Sequence, residues 1–502
     1  MTGSRFRNLL PALPLLAIPA AAVLGGVAAS GWLFIDDAYI TFRYAENLAR
    51  SLGFVYNPGE RVLGTTTPLY CLWLALGNLA GVPTLVLALL TGILAAGASG
   101  CLVWRLGRTL GRDRAGYAAG LVLVCFPRFW VAAASGMETT LAAAIALLAL
   151  ILDFRKKPVW AGLSLAALVL TRPDAVVLAA AILGVRLVLD RKAAWIEASV
   201  LLLALLPWTV FGWLEFGSPL PHSIAAKRLI HPFPWDLVLG KELKWFVSEP
   251  GLIVTSVLWL LGAGWMAARK REALVFALWP PLFLAGLAAG QVGPFFWYRT
   301  PLLPAYFLVA FLGAEAFARL LREPWPRRVM VGLSALFLGL FLAPVPTAFR
   351  QGLEALVAKE RVYEQMAGRI RELGQPGDKV FVGDVGVLGY RLQDFYLLDS
   401  SGINSLEIYR LRLADRKKLL QQGPSYRFDW WGSAAWSRDV IEQYQPRFIA
   451  SDVSYLHLPE LIGDPEFQAL YRIVRTWSLP AANYVLLVRN EKPANPNPAG
   501  PP

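Results

Sequence analysis

The sequence predicts a polytopic α-helical membrane protein with a C-terminal α/β domain. Three observations support this fold class. Of the 502 residues, 56% are hydrophobic and only 17% are charged, whereas a soluble domain has about 45–50% apolar and ~25% charged residues. Apolar runs long enough to cross a bilayer recur through most of the chain. The final part instead alternates short strand-like runs with helical patterns.

The apolar runs predict about eleven membrane-spanning helices, since a helix needs ~20 apolar residues to cross a bilayer. The predicted spans are residues 9–33, 83–104, 116–134, 138–154, 158–171, 174–190, 193–214, 250–268, 273–290, 299–320 and 328–347.

Short clusters of Arg and Lys between these spans predict the orientation. With this set of spans, every cluster falls on one side of the membrane, and basic residues favour cytoplasmic loops. We therefore expect a cytoplasmic N-terminus and a C-terminal domain outside the cytoplasm. The formal net charge of +13 is assigned to these loops, and no nucleic-acid partner is expected. The clusters are Arg5 and Arg7; Arg105, Arg108, Arg112 and Arg114; Arg155, Lys156 and Lys157; Arg191 and Lys192; Arg269, Lys270 and Arg271; and Arg319, Arg322, Arg327 and Arg328.

Residues 67–80 are apolar but short. Counting them as a span would move the Arg105–Arg114 cluster outside, against the positive-inside rule. We interpret the segment as a helix in the outer interface, with a membrane span as the alternative.

The predicted organisation has three parts. Residues 1–348 form a transmembrane domain, 349–492 form an α/β domain outside the cytoplasm, and 493–502 are a disordered tail rich in proline. The membrane domain carries a first outer loop, residues 34–82, with juxtamembrane helices, and a second outer loop, residues 215–250. The α/β domain begins with an amphipathic stretch at 353–373, and its strand-like runs are VFVGD (380–384), FYLLD (395–399), RFIAS (447–451) and YVLLVRN (484–490).

The first outer loop holds the strongest chemical signal. Asp36 and Asp37 stand where the first predicted span ends, and adjacent carboxylates at an apolar boundary are costly unless they are paired, bind a metal or react. One could act as a general base, or both could hold a cation. The structural alternative is a solvated acidic pair at a helix end. Tyr39, Arg43 and Glu46 follow at helical spacing, so a helix is expected to start near Asp37.

Other polar residues cluster at the predicted outer ends of the spans. Outward-facing acids with scattered Arg, Lys and His suit a site for a lipid-linked phosphate, which requires cationic donors. A facing carboxylate could deprotonate an attacking hydroxyl. The structural alternative is that the basic side chains snorkel to lipid head groups. These residues are Glu138; Arg172 and Asp174; His222, Lys227 and Arg228; and Tyr298 and Arg299.

The same distribution bears on transport. A secondary transporter usually places polar groups near the bilayer midplane and often contains an inverted repeat. Here the charges lie at the outer helix ends, and the sequence shows no internal repeat. A protein that acts at one membrane face is favoured.

These residues give the sequence a resemblance to the GT-C glycosyltransferases, and within them to the mycobacterial terminal arabinofuranosyltransferase group. The resemblance covers most of the chain. The sharpest match is DDAYITFRYAENLARSLGFVYNPGERVLGTTTPLY at 36–70. Further matches in the same order are SGMET at 135–139, TRPD at 171–174, PLPHSIAAK at 219–227, WYRTPLLP at 297–304, VGDVGVLGY at 382–390 and LLDSSGINS at 397–405.

The resemblance implies a GT-C-like fold in a bacterial inner membrane. It also implies transfer of a sugar, with arabinofuranose as one candidate, from a polyprenyl-phosphate donor to an envelope glycan, lipid or protein on the outer face. No certain cofactor follows, and a divalent cation at Asp36 and Asp37 is one option. Inversion and retention of configuration both stay open.

Individual roles also follow from the resemblance. Asp36 would be the catalytic carboxylate, and Asp37 would support it or contact the acceptor. Lys227 and Arg299 would bind the donor phosphate together with Arg172. His222 stands where an amide residue is expected, so its phosphate-binding role departs from the family pattern. The residues that would contact substrate are Tyr39, Arg43, Glu138, Asp174 and Tyr298, and Asp384 and Asp399 match a recurrent pattern that a structural role would explain equally well.

Two other function classes remain as alternatives. One is a transporter or flippase of lipid-linked sugars, which would move lipid without forming a product. The other is a non-catalytic envelope assembly protein whose outer domain recruits partners.

Overall fold

The computed structural model describes residues 10–31, 34–230, 233–269, 271–291, 293, 295–320, 325–342, 345–423, 432–480 and 482–490. The predicted disordered tail, 493–502, lies outside the described residues. The chain divides into two compact units. The first comprises Met1–Ile224 and His231–Val357, and the second comprises Ala225–Ile230 and Ala358–Pro502.

In the residues described above, the regular structure of the first unit is helical, because its residues are apolar over lengths typical of helices. Each predicted span coincides with one or two of its helices. The helices are α1 (Ala12–Ser30), α2 (Asp36–Ala49), α3 (Pro68–Leu79), α4 (Thr84–Thr109), α5 (Asp113–Cys125), α6 (Pro127–Ala134), α7 (Thr139–Phe154), α8 (Pro158–Thr171), α9 (Val176–Leu189), α10 (Arg191–Phe216), α11 (His222–Ile230, which continues into the second unit), α12 (Trp235–Phe246), α13 (Pro250–Arg269), α14 (Leu274–Gly290), α15 (Phe296–Arg299), α16 (Leu303–Ala318), α17 (Trp325–Leu342) and α18 (Val345–Leu373, which continues into the second unit).

Several of these helices could cross a membrane. Within the described residues, five helical segments are long and apolar enough, and a bent pair would make a sixth. Further apolar helices are shorter, and α3 at 68–79 is one of them. The chain is therefore a helical membrane protein, while the number eleven and the interfacial position of α3 remain predictions. The five segments are Thr84–Thr109, Arg191–Phe216, Pro250–Arg269, Arg271–Gly290 and Phe296–Ala318.

The span predicted at 116–134 consists of two helices, α5 and α6. The chain bends by 61° between α5 and α6. Phe126, between the two helices, is extended with ψ 116°. Pro127 follows it, and a proline disfavours helical backbone at the residue before it and cannot donate a backbone hydrogen bond. The bend therefore has a local cause in the Phe126-Pro127 dipeptide.

The second unit is built on a five-stranded sheet in the order β2-β1-β3-β5-β4. Strand β1 pairs in parallel with β2 and β3, and β5 pairs antiparallel with β3 and β4. The strands are β1 (Lys379–Val382), β2 (Tyr396–Asp399), β3 (Phe448–Asp452), β4 (Tyr471–Leu479) and β5 (Ala482–Arg489), and the helices are α19 (Gly386–Arg391), α20 (Leu406–Gln422), α21 (Ala434–Tyr444), α22 (Leu458–Ile462) and α23 (Pro465–Leu470).

The sheet contains the four predicted strands and one that the sequence prediction missed. The central strands are recognisable because their residues are buried and apolar, and Phe381, Ile449 and Leu487 lie together in the core. The missed strand, β4, is mostly exposed, and polar residues interrupt its apolar ones (YRIVRTWSL). It has the composition of an edge strand, so the search for apolar runs passed over it.

Helices α13 and α16 of the first unit pack with their backbones in close approach at two glycines. A Cβ built on Gly313 would lie 2.4 Å from the backbone nitrogen of Gly262 and 2.4 Å from the carbonyl oxygen of Leu258. Only residues without a side chain permit this spacing, as in other membrane helix pairs.

We expect Gly313→Ala to lower stability by about 1–3 kcal/mol, because its methyl group would push two backbones apart. The control is Gly264→Ala on α13, whose added Cβ would meet nothing within 4 Å. That control should be neutral or slightly stabilising. Thermal unfolding of both variants in detergent measures the difference, and equal midpoints would contradict the close approach.

Candidate functional site

The acidic pair lies in the first turn of α2. Asp36 is buried, with 5% of its surface exposed, and Asp37 is half-buried. Ile35 is extended immediately before the helix, so the chain turns sharply at this position. The partial positive charge of a helix N-terminus stabilises carboxylates in this turn.

The segment before the acidic pair lies against the loop that precedes α7. The amide of Ile35 donates to the carbonyl of Ser135 at 3.3 Å. Gly136 has φ +79°, and a Cβ there would lie 2.7 Å from the Phe34 ring. The hydroxyl of Tyr70 donates to the Gly136 carbonyl at 2.9 Å. Three segments far apart in the sequence therefore meet beside Asp36.

Four of the predicted site residues form one buried cluster. Arg172 donates to Glu138 at 2.8 Å and makes two hydrogen bonds to Asp174, at 3.0 and 2.6 Å. Its guanidinium carbon also lies 5.3 Å from the centre of the Tyr298 ring. Bidentate pairing and stacking are the geometries that a planar guanidinium prefers.

The TRPD motif explains how Arg172 and Asp174 share this cluster. Arg172 is extended with ψ 120°, and Pro173–Ala175 form a single 3-10 turn. Proline favours the extended conformation at the residue before it and fits the start of a turn. The two side chains then converge, and the cluster connects the α8–α9 turn to the loop before α7.

A second cluster surrounds Arg299. Its guanidinium makes two hydrogen bonds to Glu242, at 2.6 and 3.0 Å, and lies 5.2 Å from the Trp245 ring. Arg128 lies over the same ring at 5.4 Å and pairs with Glu249. The predicted phosphate ligand Arg299 therefore already has a carboxylate partner.

The side chains of Arg43 and Tyr39 form hydrogen bonds within the first outer loop. Arg43 is fully buried and donates from Nε to the Tyr56 carbonyl at 2.7 Å and from Nη2 to Asn57 at 3.3 Å. The hydroxyl of Tyr39 accepts from the amide of Phe34 at 3.3 Å. These contacts hold α2 against the loop and leave the predicted substrate contacts of both residues untested.

The remaining two predicted phosphate ligands lie on α11. The amide of His222 donates to the Leu63 carbonyl at 2.8 Å, which brings the start of α11 to the first outer loop. Lys227 follows on the same helix, in the stretch Ala225–Ile230 that groups with the second unit. In that unit, Arg416 donates to the carbonyl of Leu229 at 2.6 Å.

In the second unit, Asp399 and Asp384 have different surroundings. Asp399 is fully buried and accepts hydrogen bonds from Ser401 and Asn404. Its burial raises the pKa of its carboxyl group, and its contacts organise the turn after β2. Asp384, after β1, is partly exposed and pairs with Lys359 at 3.0 Å.

The described residues contain no group of three or more His, Cys, Asp or Glu side chains that could hold a metal ion. A cation held by Asp36 and Asp37 stays a prediction.

Sequence reasoning missed three residues that shape these clusters. Glu242 and Trp245 lie one helical turn apart on α12 and both contact Arg299. Their spacing was readable in the sequence, but their partner was not. Tyr70 was hidden in an apolar helix, where an aromatic residue usually serves packing alone.

The fold resembles arabinofuranosyltransferase AftD from Mycobacteria. The similarity has a TM-score of 0.51 at 16% identity and covers 95% of this chain and 40% of the AftD chain. A mutant of the same protein gives a TM-score of 0.48 at 15% identity, covering 94% and 41% of the two chains. This chain therefore spans about 40% of the length of AftD. The first similarity shows a likeness of fold alone.

Sequence comparisons add one match. A domain of unknown function (DUF8728) matches residues 353–493, which cover the described part of the α/β region. No curated protein sequence matches the chain.

We expect Arg172→Ala to destabilise the protein by about 3–5 kcal/mol, because it leaves two carboxylates in a buried cluster without their cation. The control is Arg50→Ala, which removes an exposed pair with Glu46 that contributes about 0–1 kcal/mol. Thermal unfolding in detergent measures both effects. An Arg172→Ala midpoint equal to that of wild type would show that the cluster does not hold the helices together.

Proposed function

We propose that this protein is a membrane glycosyltransferase. It transfers a sugar, with arabinofuranose as the leading candidate, from a polyprenyl-phosphate donor to an acceptor in the cell envelope. The reaction takes place on the outer face of a bacterial inner membrane. The acceptor is a hydroxyl group of a glycan, a lipid or a protein.

One observation carries the proposal. The Ile35–Ser135 hydrogen bond brings the segment of Asp36 to the loop that ends in Glu138, and Glu138 belongs to the buried cluster with Arg172, Asp174 and Tyr298. A carboxylate at a helix N-terminus beside an arginine held in a fixed orientation suits transfer of a sugar from a phosphate ester. The similarity in fold to AftD supports the same class of reaction.

The proposed step forms a bond between the acceptor oxygen and the anomeric carbon of the sugar. The bond from that carbon to the phosphate oxygen breaks, and polyprenyl phosphate leaves as an anion. The Asp36 carboxylate takes the proton of the acceptor hydroxyl. Because the leaving phosphate is stable as an anion, it needs cationic stabilisation more than a proton.

Arg299 is the proposed ligand of that phosphate in the first unit, with Arg172 and His222 as further candidates. Arg299 is already held by Glu242 and Trp245, so its guanidinium is oriented before the donor arrives. Such preorganisation lowers the cost of stabilising charge as it develops. Lys227 keeps its proposed phosphate-binding role from the resemblance alone.

We expect Asp36→Asn to abolish transfer while leaving the fold intact, since an amide cannot accept the acceptor proton. The assay offers purified protein in detergent a panel of radiolabelled polyprenyl-phosphate sugars and a mixed envelope-glycan acceptor. General base catalysis contributes about 10²–10⁴-fold in rate, so a loss of that size is expected.

The matched control is Asp439→Asn, an equally small change at an exposed position of α21. It should keep wild-type activity. Full activity in Asp36→Asn would remove that residue from the reaction. If wild type forms no product from any donor but moves lipid-linked sugar across proteoliposomes, the transporter alternative replaces the transferase.

The proposed orientation predicts which cysteine variants a membrane-impermeant thiol reagent can label in intact cells. Ser454→Cys, at an exposed position of the second unit, should react. Arg155→Cys, at an exposed position after α7, should react only after the membrane is opened. Wild type is the control for labelling of native cysteines, of which Cys71 and Cys125 are buried. The reverse labelling pattern would invert the orientation.

A further inference from the structure

The first unit contains a concave feature that the acidic pair does not line. It is a groove of about 530 Å³ between α1, α4, α5 and α17. Its volume lies within the range of about 300–1,000 Å³ typical of small-ligand sites. The groove runs along α5 from Asp113 to Leu121 and along α17 from Met330 to Leu338.

The wall of the groove is apolar over most of this length. Ala118, Leu121, Val331 and Leu338 line it. Beneath it, Trp104, Tyr117 and Leu121 pack against a small core of Leu15, Val124 and Cys125. Eight residues of helix rise by about 12 Å, which is close to half the ~30 Å thickness of a bilayer's hydrocarbon core. The length and chemistry match one acyl chain of a single leaflet.

One end of the groove is polar and basic. Arg114 lines it and is exposed. Asp113 also lines it, but its carboxylate accepts from the Trp104 indole at 2.9 Å and pairs with Arg108 at 3.1 Å. Arg108, the partner of Asp113, adds a second positive charge at this end. The charge at this end therefore favours an anion.

We propose that this groove binds one anionic phospholipid of the surrounding membrane. One acyl chain fills the groove, and the phosphate lies at the basic end beside Arg114. The positive charge favours an anionic head group, because a zwitterionic head group is attracted less strongly to a positively charged surface. The apolar wall is the argument for a lipid over a soluble phosphate compound. The site is independent of the proposed transfer reaction.

The experiment uses delipidated full-length protein in detergent and measures lipid binding by native mass spectrometry. Phosphatidylglycerol and phosphatidylcholine with identical acyl chains are titrated separately. We expect one phosphatidylglycerol to bind at least tenfold more tightly than phosphatidylcholine. Equal binding of the two lipids would overturn the proposal.

Two variants and their controls locate the site. Ala335→Trp places an indole in the groove and should weaken phosphatidylglycerol binding at least tenfold, whereas Leu336→Trp, on the exposed side of the same helix, should not. Arg114→Gln should bring the ratio of the affinities for phosphatidylglycerol and phosphatidylcholine close to one. Arg105→Gln, outside the groove, should leave this ratio unchanged. Unchanged binding in Ala335→Trp would overturn the proposal.

A measurement on wild type remains decisive if Ala335→Trp fails to fold. A photoactivatable phosphatidylglycerol should form adducts on peptides containing residues 113–121 or 330–338, and adducts only elsewhere would overturn the site. Undecaprenyl phosphate is titrated in parallel. If it binds the groove in preference to phosphatidylglycerol, the occupant is a polyprenyl lipid and the assignment to a glycerophospholipid is wrong.

Discussion

Two buried arginines of the first unit, Arg172 and Arg186, each pair with a carboxylate on another part of the helical bundle, and the helix arrangement around them depends on this pairing. An unpaired charge between apolar helices would cost several kcal/mol. Arg172, just before α9, pairs with Glu138, just before α7. At the other ends of the same two helices, Arg186 pairs with Asp153. The pairs connect α7 and α9 at both ends, so these two helices run in the same direction. Helix α8, which links them in the chain, runs in the opposite direction.

The same requirement shapes the proposed active site. Arg172 and Arg299 each bind a carboxylate before any donor is present, so a phosphate would share them with Glu138 and Glu242. Shared arginines hold a fixed orientation and carry little net positive charge. The site can therefore distinguish a correctly placed phosphate ester from loose anions by geometry rather than by charge alone. This arrangement suits an enzyme that works at a membrane surface crowded with anionic head groups.

The sequence predicted the parts of the structure whose causes are local. Apolar length located the helices, short apolar runs located the central strands, and the helical spacing of Tyr39, Arg43 and Glu46 located the start of α2 near Asp37. The sequence did not predict which distant residues pair. Glu242 and Arg299 are 57 residues apart, and each is only one of many charged residues. Arg43 shows the same limit. Helical spacing placed it on α2, but spacing cannot identify the carbonyl of Tyr56 as its partner.

The contacts between the first outer loop and α2 explain how the acidic pair, in the first turn of that helix, keeps a fixed position. The loop's polar side chains are used internally: Asn47 donates to the carbonyls of Val55 and Tyr56, both at 2.9 Å, and the Tyr44 hydroxyl donates to the Val62 carbonyl at 2.6 Å. These bonds satisfy backbone groups that a loop would otherwise leave to water. They also tie the loop to two residues of α2, Tyr44 and Asn47, that lie about one turn apart. A carboxylate on a helix braced in this way keeps its position while lipid and acceptor exchange around it, which is the condition that precise proton transfer requires.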